Sequence, residues 1–254
     1  MPVTSVSRHH PVDVTNSILD AYAAAAGASL LREGFKLSIR TDMREWASIL
    51  RHAPATNGVN PSFDPDQTGS ALDAFWLCVE ARGQVVAVAA SKLIEANTGY
   101  YEYVRQGLLW CKPPGEEPID ILISESGPAG LLAHSGGLWV HPDYRRIGLS
   151  WLVPRLNQAW SQIEWGVDWI ASVIFSDIHD KGLPLKYGAK SCRVLIDGWF
   201  APKGQRELIY SAEYPGDHLL RRAANDLSLL HRHPDQKMRD LAPTRGQRHH
   251  QLTI

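Results

Sequence analysis

The sequence has almost no net charge. Its 254 residues carry 26 Lys and Arg against 27 Asp and Glu, which leaves a formal charge of −1. Such a balance gives the molecule as a whole no attraction to nucleic acid or to an anionic membrane surface. We therefore expect neither partner, although a local basic pocket is compatible with this balance.

Cysteine is scarce, and long hydrophobic runs are missing. The three cysteines, Cys78, Cys111 and Cys192, are far apart and odd in number, so they form neither a disulfide framework nor a C-x-x-C metal site. No run of ~18 apolar residues exists, and the first ten residues, "MPVTSVSRHH", lack the apolar core of a signal peptide. These absences predict a cytoplasmic protein with buried, reduced cysteines.

Several functional motifs are also absent. Without G-x-G-x-x-G a nicotinamide cofactor is not indicated, and without G-x-x-x-x-G-K-[ST] ATP hydrolysis is not. No G-x-S-x-G elbow supports a serine hydrolase. The histidines at 9–10, 231, 233 and 249–250 lie in or near expected tails, with no cluster of carboxylates or cysteines beside them. We therefore expect no metal site.

What is present is a pattern of alternating elements with enough apolar residues, 44%, for a sizeable core. It predicts helix, strand, helix, a run of strands, and then strand–helix–strand–helix–strand, which is a mixed α/β domain around one central sheet. We expect an N-terminal arm and helix over 1–34, the main domain over 35–232 and a polar, disordered tail over 233–254. Within the domain we expect a loop over 54–70, a helix over 98–110 and a strand over 119–123.

One stretch, "LWVHPDYRRIGLSWLVPRL" from Leu138 to Leu156, begins as a strand and ends as a helix. Pro142 ends the strand, and Gly148 has no Cβ, so a ligand can approach its backbone closely. The helix that follows presents unpaired N–H groups and the positive end of its dipole. Arg145 and Arg146 add full positive charge beside it. This combination indicates a site for a phosphate or diphosphate.

The same stretch resembles the acyl-coenzyme A signature of the GCN5-related N-acetyltransferase (GNAT) superfamily, V-x-P-x-[YF]-[RQ]-x-x-G-x-[GA]. Val140, Pro142, Tyr144, Arg145 and Gly148 fall in register, and Ser150 takes the last small position. The resemblance implies a mostly antiparallel sheet, splayed at the strand that binds acyl-CoA, flanked by helices and here extended by an N-terminal helix. It also implies acetyl-CoA as co-substrate.

The resemblance further implies which residues bind the coenzyme. The main chain of the turn would hold the diphosphate, and the end of the preceding strand would pair with the pantetheine arm. These cofactor-binding residues are Leu138, Trp139, Val140, Arg145, Arg146, Ile147, Gly148, Leu149 and Ser150.

A second family pattern, close to N-x-x-A-x-x-L-Y-x-x-x-G-F, follows after the next strand with correct spacing but altered side chains. Asp177 replaces its Asn, and Pro184 stands where the family often has a proton-donating tyrosine. Tyr187, three positions on, is our candidate for protonating the departing thiolate. A packed aromatic residue before Gly188 is the alternative interpretation.

Acyl transfer also needs a base for the amine. By the period of two in a strand, His134, Gly136, Leu138 and Val140 share one face. Many relatives carry Glu at the position of Gly136, which has no side chain, so His134, with an ordinary pKa of ~6.5, is the candidate base or water relay. A histidine bonded to a neighbouring carbonyl is the alternative.

Three more residues are candidates for substrate binding, each with a simpler structural alternative. Glu80 either faces the cleft or is a solvated carboxylate at a strand end. Asp177 and His179 form a polar cluster after a strand, at the end where α/β sites gather, or they cap the next helix.

The sequence thus predicts an acetyl-CoA-dependent N-acetyltransferase that acts on a small amine by direct attack in a ternary complex. A non-catalytic acyl-CoA-binding or interaction module is the alternative, because Gly136 and Pro184 depart from the family pattern. Transfer of a longer acyl group, or to a protein or hydroxyl acceptor, is a third. The N-terminal helix and the 54–70 loop are candidates for covering the acceptor side or for forming a homodimer.

Overall fold

The computed structural model describes residues 14–68, 73–110 and 119–242. Cys111, the arm expected over 1–13 and the tail from residue 243 lie outside these residues. The helices are α1 Val14–Arg32, α2 Met43–His52, α3 Pro65–Thr68, α4 Tyr100–Arg105, α5 Leu149–Trp165, α6 Ser176–Asp180, α7 Leu183–Lys186, α8 Gly216–Arg232 and α9 Met238–Leu241. The strands are β1 Phe35–Arg40, β2 Ala74–Ala81, β3 Gln84–Ala96, β4 Gly130–Val140, β5 Trp169–Phe175, β6 Ser191–Phe200 and β7 Gln205–Pro215.

The strands form one sheet in the order β1-β2-β3-β4-β5-β7-β6. Among the described strands only β4 and β5 pair in parallel, and every other neighbouring pair is antiparallel. The parallel connection is α5, which crosses from the end of β4 to the start of β5. The mixed α/β fold with a mostly antiparallel sheet is confirmed.

The β4–β5 pair is short. Its register contains two pairs, Ala133 with Ile170 and His134 with Ala171. Beyond them the remaining six residues of β4 and four residues of β5 run on without pairing to each other. The sheet is therefore splayed at β4, as the resemblance implied, and backbone groups there are free to meet a ligand.

The two faces of the sheet carry different helices. On one face α1, α5 and α8 pack into a single core with buried residues of β2 to β5 and β7. On the other face α2 and the 3₁₀ turn Pro61–Phe63 cover a second cluster that includes Trp46, Phe63 and Trp139. Leu19, Tyr22, Ala26 and Leu30 of α1 are all fully buried in the first core. The N-terminal helix therefore packs against α5 and α8, on the face opposite the 54–63 loop, rather than over that loop.

Short-range chemistry explains the best-predicted elements. Asp42 caps α2 by accepting hydrogen bonds from the N–H groups of Arg44 and Glu45. The β2–β3 hairpin turns at Arg82 and Gly83, whose φ angles of 52° and 78° are those of a tight two-residue turn. Both elements are therefore set by residues only a few positions apart.

Four expectations need correction. The 54–70 loop contains the turn Pro61–Phe63 and the short α3. The helix expected over 98–110 ends at Arg105, because Gly107 adopts φ 76°. Residues 119–123 form no strand, although Leu122 donates to the carbonyl of Leu195. Order continues past residue 233 to Ala242, because Met238 and Leu241 of α9 are buried in the first core.

A buried ion pair joins α5 to α8. Arg155 Nη1 lies 2.7 and 2.8 Å from the two carboxylate oxygens of Asp226, and both side chains are 9% exposed. The buried Arg222 lies nearby and donates to the carbonyls of Tyr187 and Gly188. Burial, and then the charge of Arg155, lowers the pKa of Arg222 to about 10, whereas Asp226 raises it. One carboxylate thus faces two buried guanidinium groups.

We predict that Asp226→Asn lowers the free energy of unfolding by about 3–5 kcal/mol, because it leaves buried positive charge without a counter-charge. Urea denaturation of the purified variant measures this loss. Asp217→Asn, which breaks the exposed pair with Arg221 on the same helix, is the matched control and should leave stability nearly unchanged. Equal effects of the two substitutions would show that the buried pair is unimportant.

Candidate functional site

A cleft of about 1000 Å³ opens where β4 and β5 part. Residues 135–140 of β4 and 172–175 of β5 form its two sides, and residues 55–61 form a wall across it. Arg145, Arg146 and Ser150 lie at one end. The volume is at the upper end of the usual range for a small-molecule or cofactor site, ~300–1000 Å³.

The charged side chains that line the cleft are mainly basic. Five of the six are cationic, namely Arg145, Arg146, Lys181, Lys186 and Lys203, and Asp177 is the one carboxylate. Lys181 pairs with Asp177 at 3.3 Å, and Lys186 Nζ donates to the Ser150 hydroxyl at 3.2 Å. The cleft therefore concentrates positive potential in a protein of nearly zero net charge, which favours an anionic ligand.

The turn between β4 and α5 has the backbone of an anion site. Arg146 and Gly148 adopt left-handed φ angles of 66° and 99°, and α5 begins at Leu149. In the part of the chain that the structure describes, no acceptor bonds the N–H groups of residues 146–150. Alternating right- and left-handed backbone conformations direct successive N–H groups toward a common point, and the helix dipole adds to the positive potential there. The positive φ at Arg146 is uncommon for a residue with a Cβ.

Gly148 is needed for a different reason than expected. A Cβ at this position would lie 2.6 Å from Cβ of Met238 and 2.7 Å from its carbonyl carbon. The close approach is therefore made by α9 of the same chain, and Gly148 does not line the cleft. Of the nine cofactor-binding residues predicted, six line the cleft, whereas Ile147, Gly148 and Leu149 do not.

Arg145 has structural contacts as well as a place in the cleft. Its Nε donates to the carbonyl of Val140 at 3.2 Å, and its Nη2 donates to the carbonyl of Ala55 at 3.2 Å. Trp139 likewise donates from Nε1 to the carbonyl of Pro54 at 3.1 Å. The 54–61 wall is thus attached to the end of β4 and to the anion turn.

A bulge in β4 alters the predicted faces. Ala90 pairs with Gly136 and Val88 with Trp139, so β4 has one more residue than β3 across this interval. Gly137 adopts φ 60°, and a Cβ there would lie 2.4 Å from the Trp46 ring. His134 and Gly136 face the Phe63 side, whereas Leu138 and Val140 pack on the opposite core. The prediction that all four share one face is wrong, because the bulge interrupts the period of two.

His134 is fully buried beneath Phe63, with ring centroids 5.2 Å apart in a stacked arrangement. Neither ring nitrogen has a hydrogen-bond partner among the described residues, so the alternative of a histidine bonded to a carbonyl is not what the structure shows. Burial, and then the charge of Lys92 opposite on β3, holds the pKa of His134 well below its ordinary value. The ring is therefore neutral near pH 7. It lies two residues from Gly136, which does line the cleft.

Two tyrosines lie at the floor of the cleft. Tyr187 follows α7, and burial raises its pKa, with smaller effects of Tyr214 and Asp177 in the same direction. Tyr214 of β7 also lines the floor, beside Gln158 and Ser172. Burial raises the pKa of Tyr214 to about 12. Ser172 and Gln158 are close enough to lower that pKa in part, but neither forms a hydrogen bond of normal geometry with its hydroxyl. Both phenols are therefore protonated at neutral pH.

A second cavity, of about 480 Å³, adjoins the cleft at the carboxyl end of β5. Asn57, Phe175, Asp177 and Lys203 line both spaces, and Gln205 and Glu207 line the smaller one. Lys203 pairs with Glu207 at 3.1 Å and lies over the Phe175 ring at 3.5 Å. The smaller cavity thus offers two carboxylates, Asp177 and Glu207, at the open end of the cleft.

Two predicted substrate-binding residues lie away from the cleft lining. Glu80 pairs with Arg40 at 3.2 Å and with Lys36 at 3.9 Å across β1 and β2. His179 stacks on Tyr210 with ring centroids 3.7 Å apart. Only Asp177 of the three lines the cavities.

The sequence named the 54–70 loop as a candidate cover of the acceptor side, and residues 55–61 of it line the cleft, but it missed the floor residues Gln158, Ser172 and Tyr214 and the basic residues Lys181, Lys186 and Lys203. The density of Pro, Gly and Asn in the loop signalled irregular structure but not its place. Nothing local marks the others, since strand pairing and helix packing bring them together. Within the described residues no group of three His, Cys, Asp or Glu could hold a metal ion. No helix there is long and apolar enough to cross a bilayer.

No family model and no curated protein matches the sequence. Solved structures do. Mutant forms of the spermidine/spermine N-acetyltransferase SpeG from Vibrio cholerae match at 12% identity and a TM-score of 0.44, over 75% of this chain and 99% of that one. NAA60 from Arabidopsis thaliana in complex with a bisubstrate analogue matches at 13% identity and a TM-score of 0.42, over 71% of this chain and 98% of that one. The ribosomal-protein-S18-alanine N-acetyltransferase from Escherichia coli matches at 16% identity and a TM-score of 0.40, over 71% of this chain and 93% of that one.

Proposed function

We propose that this protein is a divergent GNAT-superfamily enzyme that transfers an acetyl group from acetyl-CoA to a small amine. The observation that carries the proposal is the cleft that runs from Arg145, Arg146 and Ser150, beside the turn with unpaired N–H groups, to the gap between β4 and β5. Such a cleft suits a ligand with a diphosphate at one end and an extended, amide-bearing arm behind it. Acetyl-CoA has this form.

The donor is bound largely by main chain. The diphosphate takes the N–H groups of residues 146–150, with Arg146 and Lys186 supplying charge. The pantetheine arm runs along Leu138 to Val140, on the side of β4 that β5 leaves unpaired. The amides of the arm pair with the free edge of β4, in the place where β5 would otherwise pair, as in β-strand addition.

The acceptor enters from the smaller cavity. Asp177 and Glu207 line it beside the Phe175 ring, and since Lys181 and Lys203 already pair with these carboxylates, an ammonium group of the acceptor would share or replace a lysine partner there. A space of about 480 Å³ suits a small molecule. These features support a small amine over a protein substrate.

The chemistry is direct attack within the ternary complex, since holding both substrates together supplies much of the rate. The amine loses a proton and its nitrogen bonds the thioester carbon. The C–S bond then breaks, and the thiolate takes a proton. Because its buried ring does not line the cleft, neutral His134 acts as base only through a relayed water that reaches it past Phe63, and protonated Tyr187 supplies the proton to sulfur.

The low pKa of His134 keeps it ready to accept a proton but makes it a weak base, so proximity must provide more of the rate than base catalysis. Gly136 and Pro184, which carry no reactive group, are the departures that favour the alternative of a non-catalytic acyl-CoA-binding module. We place either activity in the cytoplasm.

Thiol release separates these functions. Acetyl-CoA should raise the Tm of the protein, and an amine panel should then release free CoA, which a thiol reagent detects. Stabilisation without release would favour the binding module. No rise in Tm at millimolar acetyl-CoA would contradict both the enzyme and the binding module. A parallel series with longer acyl-CoA donors shows which acyl group the protein transfers.

We predict that Arg146→Glu raises the Kd for acetyl-CoA at least about tenfold, because it places a negative charge where the diphosphate binds. Calorimetric titration measures the change. The side chain of Arg146 is exposed and forms no hydrogen bond or ion pair with the rest of the described chain, so Tm should be unaffected.

Arg44→Glu is the matched control, since Arg44 is exposed on α2 and away from the cleft. It makes the same change in net charge and should leave Kd unaltered. If both variants weaken binding equally, the effect is one of overall charge and the turn does not bind the diphosphate.

We predict that His134→Gln lowers kcat about 10²-fold, the usual contribution of a general base, with the KM for acetyl-CoA unchanged. Steady-state kinetics over pH 6–9 tests this. His231→Gln, at an exposed site on α8, is the control. Unchanged kcat at every pH would remove His134 from the mechanism.

Stability reports separately on the burial of His134. Because its pKa is lowered in the folded state, the unfolded chain binds a proton near pH 6.5 that the folded chain does not. The wild type should therefore be most stable above that pH and lose stability as pH falls below it, and His134→Gln should reduce this loss. An unaltered pH dependence would mean that the ring is solvated.

A further inference from the structure

Helix α9 packs directly behind the anion turn. Atoms of Met238 lie so close to Gly148 that a Cβ on the glycine would be 2.6–2.8 Å from its Cβ, carbonyl carbon and oxygen. Met238 is fully buried in the first core. The backbone of Gly148 therefore cannot move away from the cleft unless α9 moves too.

Two anchors hold Met238 in this place. Its N–H donates to Glu33 Oε1 at 2.6 Å, and Glu33 lies in the turn that follows α1. Its side chain packs in the core that also buries Leu241 and receives Ile147 of the turn. Both terminal additions to the domain, α1 and α9, thus meet at the back of the anion turn.

The turn needs such a support. Arg146 and Gly148 both have left-handed backbone, and in the described chain no hydrogen bond fixes the N–H groups of residues 146–150. A row of N–H donors binds an anion tightly only when the donors are already oriented before the anion arrives. If binding itself has to order the donors, part of the binding free energy is lost. Contact with Met238 limits the backbone from the side opposite the ligand.

We propose that Met238, held by Glu33, is a positioning residue that preorganises the turn for the diphosphate of the acyl donor. The proposal rests on the proposed function. Helix α9 lies beyond the segment that resembles the acyltransferase motif. The proposal gives this helix a part in the affinity for the nucleotide end of the donor and no part in the affinity for the acyl end.

Comparing two donors tests this assignment. Acetyl-CoA carries the diphosphate, and S-acetylpantetheine presents the same thioester and arm without it. Titrations of both ligands against the wild type, Glu33→Ala and Met238→Ala give the two affinities. Met238→Leu, which retains the side-chain volume, and Asp235→Ala, which removes an exposed carboxylate from the same segment, are the matched controls.

We expect the Kd for acetyl-CoA to rise about tenfold in Glu33→Ala and in Met238→Ala, because each removes one of the two anchors of α9 while leaving the Met238 atoms that contact Gly148 in the chain. The Kd for S-acetylpantetheine should change less than about twofold, and kcat at saturating acetyl-CoA should be retained, since the reacting atoms are untouched. Both controls should match the wild type.

Equal losses of affinity for the two donors, or no loss for either, would overturn the proposal, because a general effect on the fold would weaken the binding of both donors alike. If Met238→Ala does not fold, Glu33→Ala decides, since Glu33 is only half-buried and its loss leaves the core intact. Failure of the proposed function is distinct: the wild type itself would then not bind acetyl-CoA.

Discussion

The site depends on the early end of pairing between β4 and β5. Two residue pairs join these strands, and the parallel alignment then stops while both strands continue. A strand with free N–H and C=O groups inside a covered sheet must find other partners. The gap therefore requires a ligand or water, and the residues on its two sides line the cleft.

The elements that could be predicted are those set by short-range chemistry. The Arg82-Gly83 hairpin, the Asp42 cap and the strand–turn–helix from Leu138 to Leu156 each depend on residues a few positions apart. The anion turn belongs to this group, because proline, glycine and the helix start lie within one segment. Residues along that segment, from Leu138 to Pro154, line the cleft.

What could not be predicted depends on contacts between distant segments. The bulge at Gly137 arises where the Trp46 ring meets β4, and it reverses the faces of Leu138 and Val140. Met238, ninety positions after Gly148, lies in a stretch whose polar composition suggested disorder. His134 follows the expected strand, but its burial depends on Phe63, which lies in a loop without periodicity.

The two hydrogen bonds of Arg145 have a thermodynamic consequence. One guanidinium bonds the carbonyl of Val140 and the carbonyl of Ala55, which is itself held at φ 52°. A phosphate that drew this side chain toward itself would release Ala55, and with it the wall that faces the acceptor. Under the proposed function, occupancy of the diphosphate end and the shape of the acceptor end would therefore be linked, and linkage is reciprocal: each of the two molecules would alter the affinity for the other by the same factor.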